Sequence, residues 1–110
     1  PKGRLDQDET AEQGAERELK EEIGYGAHKL KILHNLSLSP SYMTHMAHVV
    51  LAQDLYPEKL VGDEPEELEV VPWKMAELHT LLGRDDVTEG RSIAALFMAR
   101  EYLAGRFQRT

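Results

Sequence analysis

Apolar residues recur at four-residue steps near the start of the chain. Ala11, Ala15, Leu19 and Ile23 fall on one line, with charged and polar residues between them. That is the period of a helix with a single buried stripe, and it predicts a helix over residues 9–23. Thr10 stands where a cap belongs, Gln13 three residues later completes a capping box, and Gly24 is placed to end the helix. Gly14 inside the helix costs about 1 kcal/mol relative to alanine, which implies a close approach there. The pattern then changes. Residues 30–38 (LKILHNLSL) and 42–53 (YMTHMAHVVLAQ) read as strands, separated by the break signal Ser39-Pro40-Ser41. Tyr56-Pro57-Glu58 begins a turn, residues 61–67 (VGDEPEE) form an acidic loop, and residues 68–73 read as a third strand. A short helix over 75–82 is stopped by Gly83. A longer one over 92–104 has Ser92 near its cap and Ile93, Leu96, Phe97 and Leu103 facing inward. The order helix, strands, helices implies an α+β or α/β sandwich with a mixed sheet.

Composition narrows what such a fold can do. The 110 residues suffice for one domain, and with 41% hydrophobic and 30% charged residues the chain is globular and not disordered. No apolar run is long enough for a membrane span, and the first residues lack the features of a signal peptide. Cysteine is absent, which excludes disulfides and thiolate-bound zinc and accords with a cytoplasmic location. The net charge of −7 disfavours nucleic acid as a partner. It also disfavours a phosphate-bearing small molecule unless divalent cations are added to the site. His28, His34, His45, His48 and His79 are scattered and form no zinc-binding pattern. Ser92 lacks the context of a nucleophile elbow. Trp73 could stack on a base, but equally serves as a packing residue after a strand.

The chemistry concentrates in residues 3–25. Glu18 and Glu22 lie one helical turn apart, roughly 40° around the axis, with Glu21 beside Glu18. Unpaired, such like charges repel and destabilise the helix. Either the face is simply solvated, or it binds a hard divalent cation through oxygen ligands and presents it to a phosphate. Arg17 and Glu9 could form an ordinary exposed salt bridge, worth well under about 1 kcal/mol.

The full spacing is Gly3, Glu9, Arg17-Glu18-Leu19, Glu21-Glu22 and Gly24-Tyr25. It resembles the signature of the Nudix hydrolases, pyrophosphatases of nucleoside diphosphates linked to another group. All seven fixed positions match, and Leu19 and Tyr25 occupy the two apolar sites. The resemblance implies the Nudix fold, an α/β/α sandwich with a mixed sheet between helices. It implies Mg²⁺ (or Mn²⁺) held mainly by Glu18 and Glu22, with Glu21 on the ion or beside it and the backbone carbonyl of Lys2 as a further ligand. Gly3 would line the substrate side. Arg17 would point away from the metal face, pair with Glu9 and orient the helix.

Several further residues resemble the ADP-ribose pyrophosphatase branch of that family, where an acidic loop after the central strands supplies the general base and another ligand. On this sequence that implies Glu64 as the base and Glu66 as an auxiliary ligand. The chemistry needs such a group, because a water attacking phosphorus must lose a proton near neutral pH. Pro40, fifteen residues beyond Tyr25, matches the branch's proline, although Ser41 stands where that branch usually has glycine. Tyr42 lies where dinucleoside-polyphosphate hydrolases tend to carry a tyrosine. Both are substrate-binding candidates, or a turn residue and a packing residue.

Together with residues 49–65, this blend is similar to the bacterial ADP compounds hydrolases. The implied activity is Mg²⁺-dependent hydrolysis of the pyrophosphate bond in ADP-ribose, diadenosine triphosphate and NADH, releasing AMP. The implied enzyme is a cytoplasmic homodimer acting on nucleoside-diphosphate-linked small molecules, with no membrane or nucleic-acid partner. The alternative is a non-catalytic Nudix-like module that binds an ADP-ribose-like ligand. In the family, strands precede the signature, so residues 1–110 are expected to be the C-terminal portion of a Nudix domain, with the N-terminal strands missing.

Overall fold

The computed structural model describes residues 1–38, 46–62 and 68–109. They form two compact units. The first comprises residues 1–35 and 48–70, and the second residues 36–47 and 71–110.

The first unit is built on helix α1, Ala11–Glu22. Its start is the predicted capping box. Thr10 Oγ1 accepts the Gln13 amide at 3.1 Å, and Gln13 Oε1 accepts the Thr10 amide at 3.0 Å. Its end is set by Gly24, whose φ of 84° is the left-handed conformation that glycine adopts without a Cβ penalty. The chain reverses there, directly into strand β1, Tyr25–Ser37. The strand therefore begins ahead of the expected residue 30, because one left-handed glycine replaces a connecting loop.

Strand β2, Met46–Pro57, pairs with β1 in a two-stranded antiparallel sheet. Its expected start at residues 42–45 lies outside the described residues. Leu19, Ala27 and Leu33, the last only 2% exposed, form the buried core of this unit. A buried leucine contributes about 1.5–3 kcal/mol.

Gly14 and Gly26 are each demanded by a close approach. A Cβ on Gly14 would run into Leu5 Cδ2 and stand 3.0 Å from Glu9 Oε1, so the helix-breaking residue is where the N-terminal loop crosses α1. A Cβ on Gly26 would run into the Tyr56 ring.

Residues 68–73 do not form the expected strand. Leu68, Val70 and Val71 are 48%, 51% and 58% exposed. The run has no ladder partner among the described residues, and extended chain is not held as a strand without one.

The second unit contains a 3₁₀ turn, Met75–Glu77, running into α2, Leu78–Leu82, which ends at Gly83 as expected. Trp73 Nε1 donates to the Glu77 carbonyl at 2.9 Å. Helix α3, Gly90–Leu103, is capped by Glu89, whose Oε2 accepts the Ser92 amide at 2.6 Å. Phe97 and Leu103, expected to face inward, are 42% and 46% exposed. Apolar residues run without interruption from Ile93 to Ala99, so the sequence carries no single inward stripe to choose from. Among the described residues no helix is long and apolar enough to cross a membrane.

Candidate active site

The N-terminal loop delivers one carboxylate to α1. Residues 6–9 make a tight turn, closed by the Glu9 amide on the Asp6 carbonyl at 3.1 Å, with Asp8 at φ 65°. Aspartate tolerates that conformation better than most residues. Glu9 Oε1 also accepts the Asp6 amide at 2.9 Å, which fixes its carboxylate. Arg17 meets it with a bidentate fork, Nε to Oε2 at 2.9 Å and Nη2 to Oε1 at 3.0 Å. Nη2 also donates to the Arg4 carbonyl at 2.8 Å. The Arg17 guanidinium, with help from the Asp6 amide, holds the Glu9 carboxyl below the usual carboxylate range. Glu9 in turn pushes the Arg17 pKa up.

The pairing of Arg17 with Glu9 is the expected one, but the orientation expected for the rest of its guanidinium is not. Nη1 donates to Glu18 Oε1 at 2.9 Å and to Glu21 Oε2 at 3.2 Å, and Nε stands 3.2 Å from Asp6 Oδ2. Instead of pointing away from the acidic face, Arg17 is shared by four carboxylates. The physical reason is charge: a guanidinium offers donors along two edges, and the carboxylates of the same helix turn gain more from it than from one another.

Glu22 is the buried member of the acidic set, 8% exposed. The Glu18 carboxyl lies directly against Gly3, where any Cβ would collide with it. The Lys2 carbonyl belongs to the same peptide unit as the Gly3 amide. Glu18, Glu21, Glu22 and the backbone carbonyl beside Gly3 offer oxygen donors only, and the Arg17 guanidinium is shared by Glu18 and Glu21 among them. By donor chemistry and by the Gly3 cradle they fit a hard divalent ion. Among the described residues, no three His, Asp or Glu side chains stand as a ready metal-binding group.

The opposite flank of α1 is anchored to the sheet. The Tyr56 hydroxyl donates to Glu16 Oε1 at 2.8 Å, and its ring lies 4.5 Å from the His28 ring, centroid to centroid. Tyr56 draws the Glu16 pKa down, and Glu16 pushes that of Tyr56 up. Lys20 bridges Glu16 at 3.3 Å and Glu58 at 2.9 Å. After β2 the chain doubles back onto the end of α1. The Glu58 amide donates to Gly24 O at 3.0 Å, the Leu60 amide to Lys20 O at 3.2 Å, and Lys59 Nζ to Glu21 O. Gly62 packs on Glu21, whose Cβ would stand 3.0 Å from a Cβ placed there.

Comparison with known protein families matches residues 1–97 to the NUDIX domain. The chain belongs to the NUDIX family. Among curated NUDIX relatives, it is 49% identical over 105 residues to the ADP compounds hydrolase NudE of Escherichia coli (strain K12), covering 96% of this chain and 56% of that protein. It is 34% identical over 98 residues to an ADP-ribose pyrophosphatase of Bacillus subtilis (strain 168), covering 87% and 53%. A crystal structure of an ADP compounds hydrolase superposes with a TM-score of 0.88 at 48% identity, over 93% of this chain and 55% of that one. The fold is thus the NUDIX fold expected from the sequence. The chain spans little more than half the length of these relatives.

Gly3, Glu9, Arg17, Glu18 and Glu21 are linked by direct contacts, and Glu22 lies buried on the last turn of α1. Pro40, Tyr42, Glu64 and Glu66 lie outside the described residues. A hollow of about 310 Å³ in the second unit, lined by Met75, Leu78, His79, Arg100 and Leu103 among others, holds none of the expected site residues. Tyr56, Glu16 and Lys59 support α1 and were not singled out from the sequence. Gly26 lies inside β1, a position that often marks a close approach, but the strand read from the sequence begins at residue 30 and leaves it outside.

Proposed function

We propose that this chain carries the metal- and water-handling part of a pyrophosphatase acting on ADP-linked compounds, X-ADP + H₂O → X-phosphate + AMP. The observation that carries the reading is the acidic face of α1, held at one edge by the Arg17–Glu9 fork and cradled at Gly3. The names of the relatives, an ADP compounds hydrolase and an ADP-ribose pyrophosphatase, supply the substrate class. Glu18 and Glu22, with Glu21 and the Lys2 carbonyl, would hold Mg²⁺ or Mn²⁺. Such an ion supplies charge neutralisation at the diphosphate. Arg17 and Glu9 position the helix that bears the ligands, and Gly3 leaves room for the Glu18 carboxyl beside the backbone.

Glu64 would take one proton from the attacking water, and Glu66 would assist as a ligand. In support, Gly62 already lies against Glu21, so the acidic loop sets out from the helix that bears the other carboxylates. Pro40 and Tyr42 would contact the substrate. The activity is proposed for a cytoplasmic homodimer, with ADP-ribose, diadenosine triphosphate and NADH as substrates.

The test is incubation with ADP-ribose, diadenosine triphosphate, NADH and GDP-mannose, with and without Mg²⁺, and quantification of mononucleotide. Metal-dependent AMP release is expected, falling by several orders of magnitude in Glu18→Gln and Glu22→Gln while the fold is retained. Near-wild-type turnover in those variants refutes the assignment. Ligand binding without any AMP release, by this chain and by one extended at its N terminus, favours a binding module instead.

A further inference from the structure

We infer that Arg17 and the divalent ion compete for the same carboxylates, so that Arg17 sets the ion concentration at which the site engages. The inference rests on the proposed reading of Glu18, Glu21 and Glu22 as metal ligands. Its starting point is how the Arg17 guanidinium divides its donors. The Nε–Nη2 edge is committed to Glu9, at 2.9 and 3.0 Å. Nη1 has two hydrogens, and it reaches two carboxylates, Glu18 at 2.9 Å and Glu21 at 3.2 Å. Both hydrogens are thereby spent on residues expected to bind the ion.

An ion that takes Glu18 or Glu21 must take it from Arg17. The side chains involved are 18–22% exposed, so these contacts are partly shielded from water and are screened less than fully exposed pairs. Because the Glu9 fork and the Arg4 carbonyl keep their hold on the other edge, the exchange needs no departure of Arg17 from the helix. The same guanidinium offsets the repulsion between Glu18 and Glu21.

A purely orienting role for Arg17 predicts the opposite sign. If Arg17 only holds the ligands in place, removing it weakens ion binding. If it competes, removing it tightens binding. The experiment is titration of the full chain with Mn²⁺, read as free Mn²⁺ by electron paramagnetic resonance, alongside thermal unfolding in chelator and in Mn²⁺. Arg17→Gln is expected to bind Mn²⁺ about threefold to tenfold more tightly. It should also melt lower than wild type in chelator and gain more melting temperature on adding Mn²⁺.

Arg17→Lys keeps the net charge, but one ammonium cannot fork Glu9 and bridge two further carboxylates together. It too is expected to tighten binding, by less. Weaker or unchanged binding in Arg17→Gln overturns the inference. Tightening in Arg17→Gln with none in Arg17→Lys also overturns it, because charge alone would then suffice. Absence of Mn²⁺ binding by the wild-type chain overturns the metal reading, and this inference with it.

Discussion

Replacing Gly26 with alanine should destabilise the protein, against the expectation from backbone propensity. Glycine within a strand costs roughly 0.5–1 kcal/mol relative to alanine, so the substitution would gain that much at an open position. At residue 26 the new methyl collides with the Tyr56 ring. The ring cannot swing aside freely, because its hydroxyl is bound to Glu16 at 2.8 Å and its face rests by His28. Either the core strains, at about 1–3 kcal/mol, or the ring leaves and gives up a hydrogen bond to a charged acceptor, worth about 1.5–3 kcal/mol.

Subtracting the propensity gain leaves a loss of about 1–2 kcal/mol. For a domain of this size that corresponds to a fall in Tm of roughly 4–10 °C, measurable by circular dichroism in thermal or urea unfolding. The control is Tyr56→Ala, which removes the ring. In that background Gly26→Ala should be neutral or stabilise by about 0.5 kcal/mol. Undiminished stability of Gly26→Ala, or an equal loss in both backgrounds, refutes the packing argument.

Other expectations concern the ends of α1 and its ionised groups. Thr10→Ala removes one half of the capping box and should cost about 1 kcal/mol, read as a lower urea midpoint at unchanged slope. Glu9 and Glu16 titrate below their ordinary range in the folded chain. Their stabilisation is therefore present above the ordinary carboxylate pKa of about 4.3 and is lost as pH falls through the lower folded values. Glu9→Gln should flatten the acid limb of a stability-versus-pH curve, and an unchanged limb contradicts this. Tyr56 is shifted the other way. Its share is present below the ordinary tyrosine pKa of about 10 and is lost as pH rises beyond it, so Tyr56→Phe should be the less sensitive protein at alkaline pH.

Local rules recovered the local structure. The capping box at Thr10 and Gln13, the left-handed glycine at 24 and the stop at Gly83 are each decided within a few residues, and each stands where the sequence placed it. Gly14 was legible in the same way, as a local cost that implied a neighbour. What could not be read were relations between distant positions. Nothing near Tyr56 in sequence announces Glu16, forty residues away. The run at 68–73 has strand-like residues, but a strand also needs a partner, which composition does not supply. The family resemblance gives Arg17 one partner, whereas a planar five-donor group among clustered carboxylates takes as many as it can reach. On α3, Phe97 and Leu103 were assigned inward because they are apolar, and an almost continuous apolar run offers no direction.

The stitching of residues 58–60 onto the last turn of α1 ties two events together. Helix ends ordinarily fray first, exchanging their amide hydrogens with solvent far faster than the middle. Here the carbonyls of Lys20, Glu21 and Gly24 are engaged by Leu60, Lys59 and Glu58. The turn bearing Glu21 and Glu22 cannot open without releasing the strand exit that leads toward residue 63. The amides of Glu58 and Leu60 should therefore share one opening rate with those of the helix end.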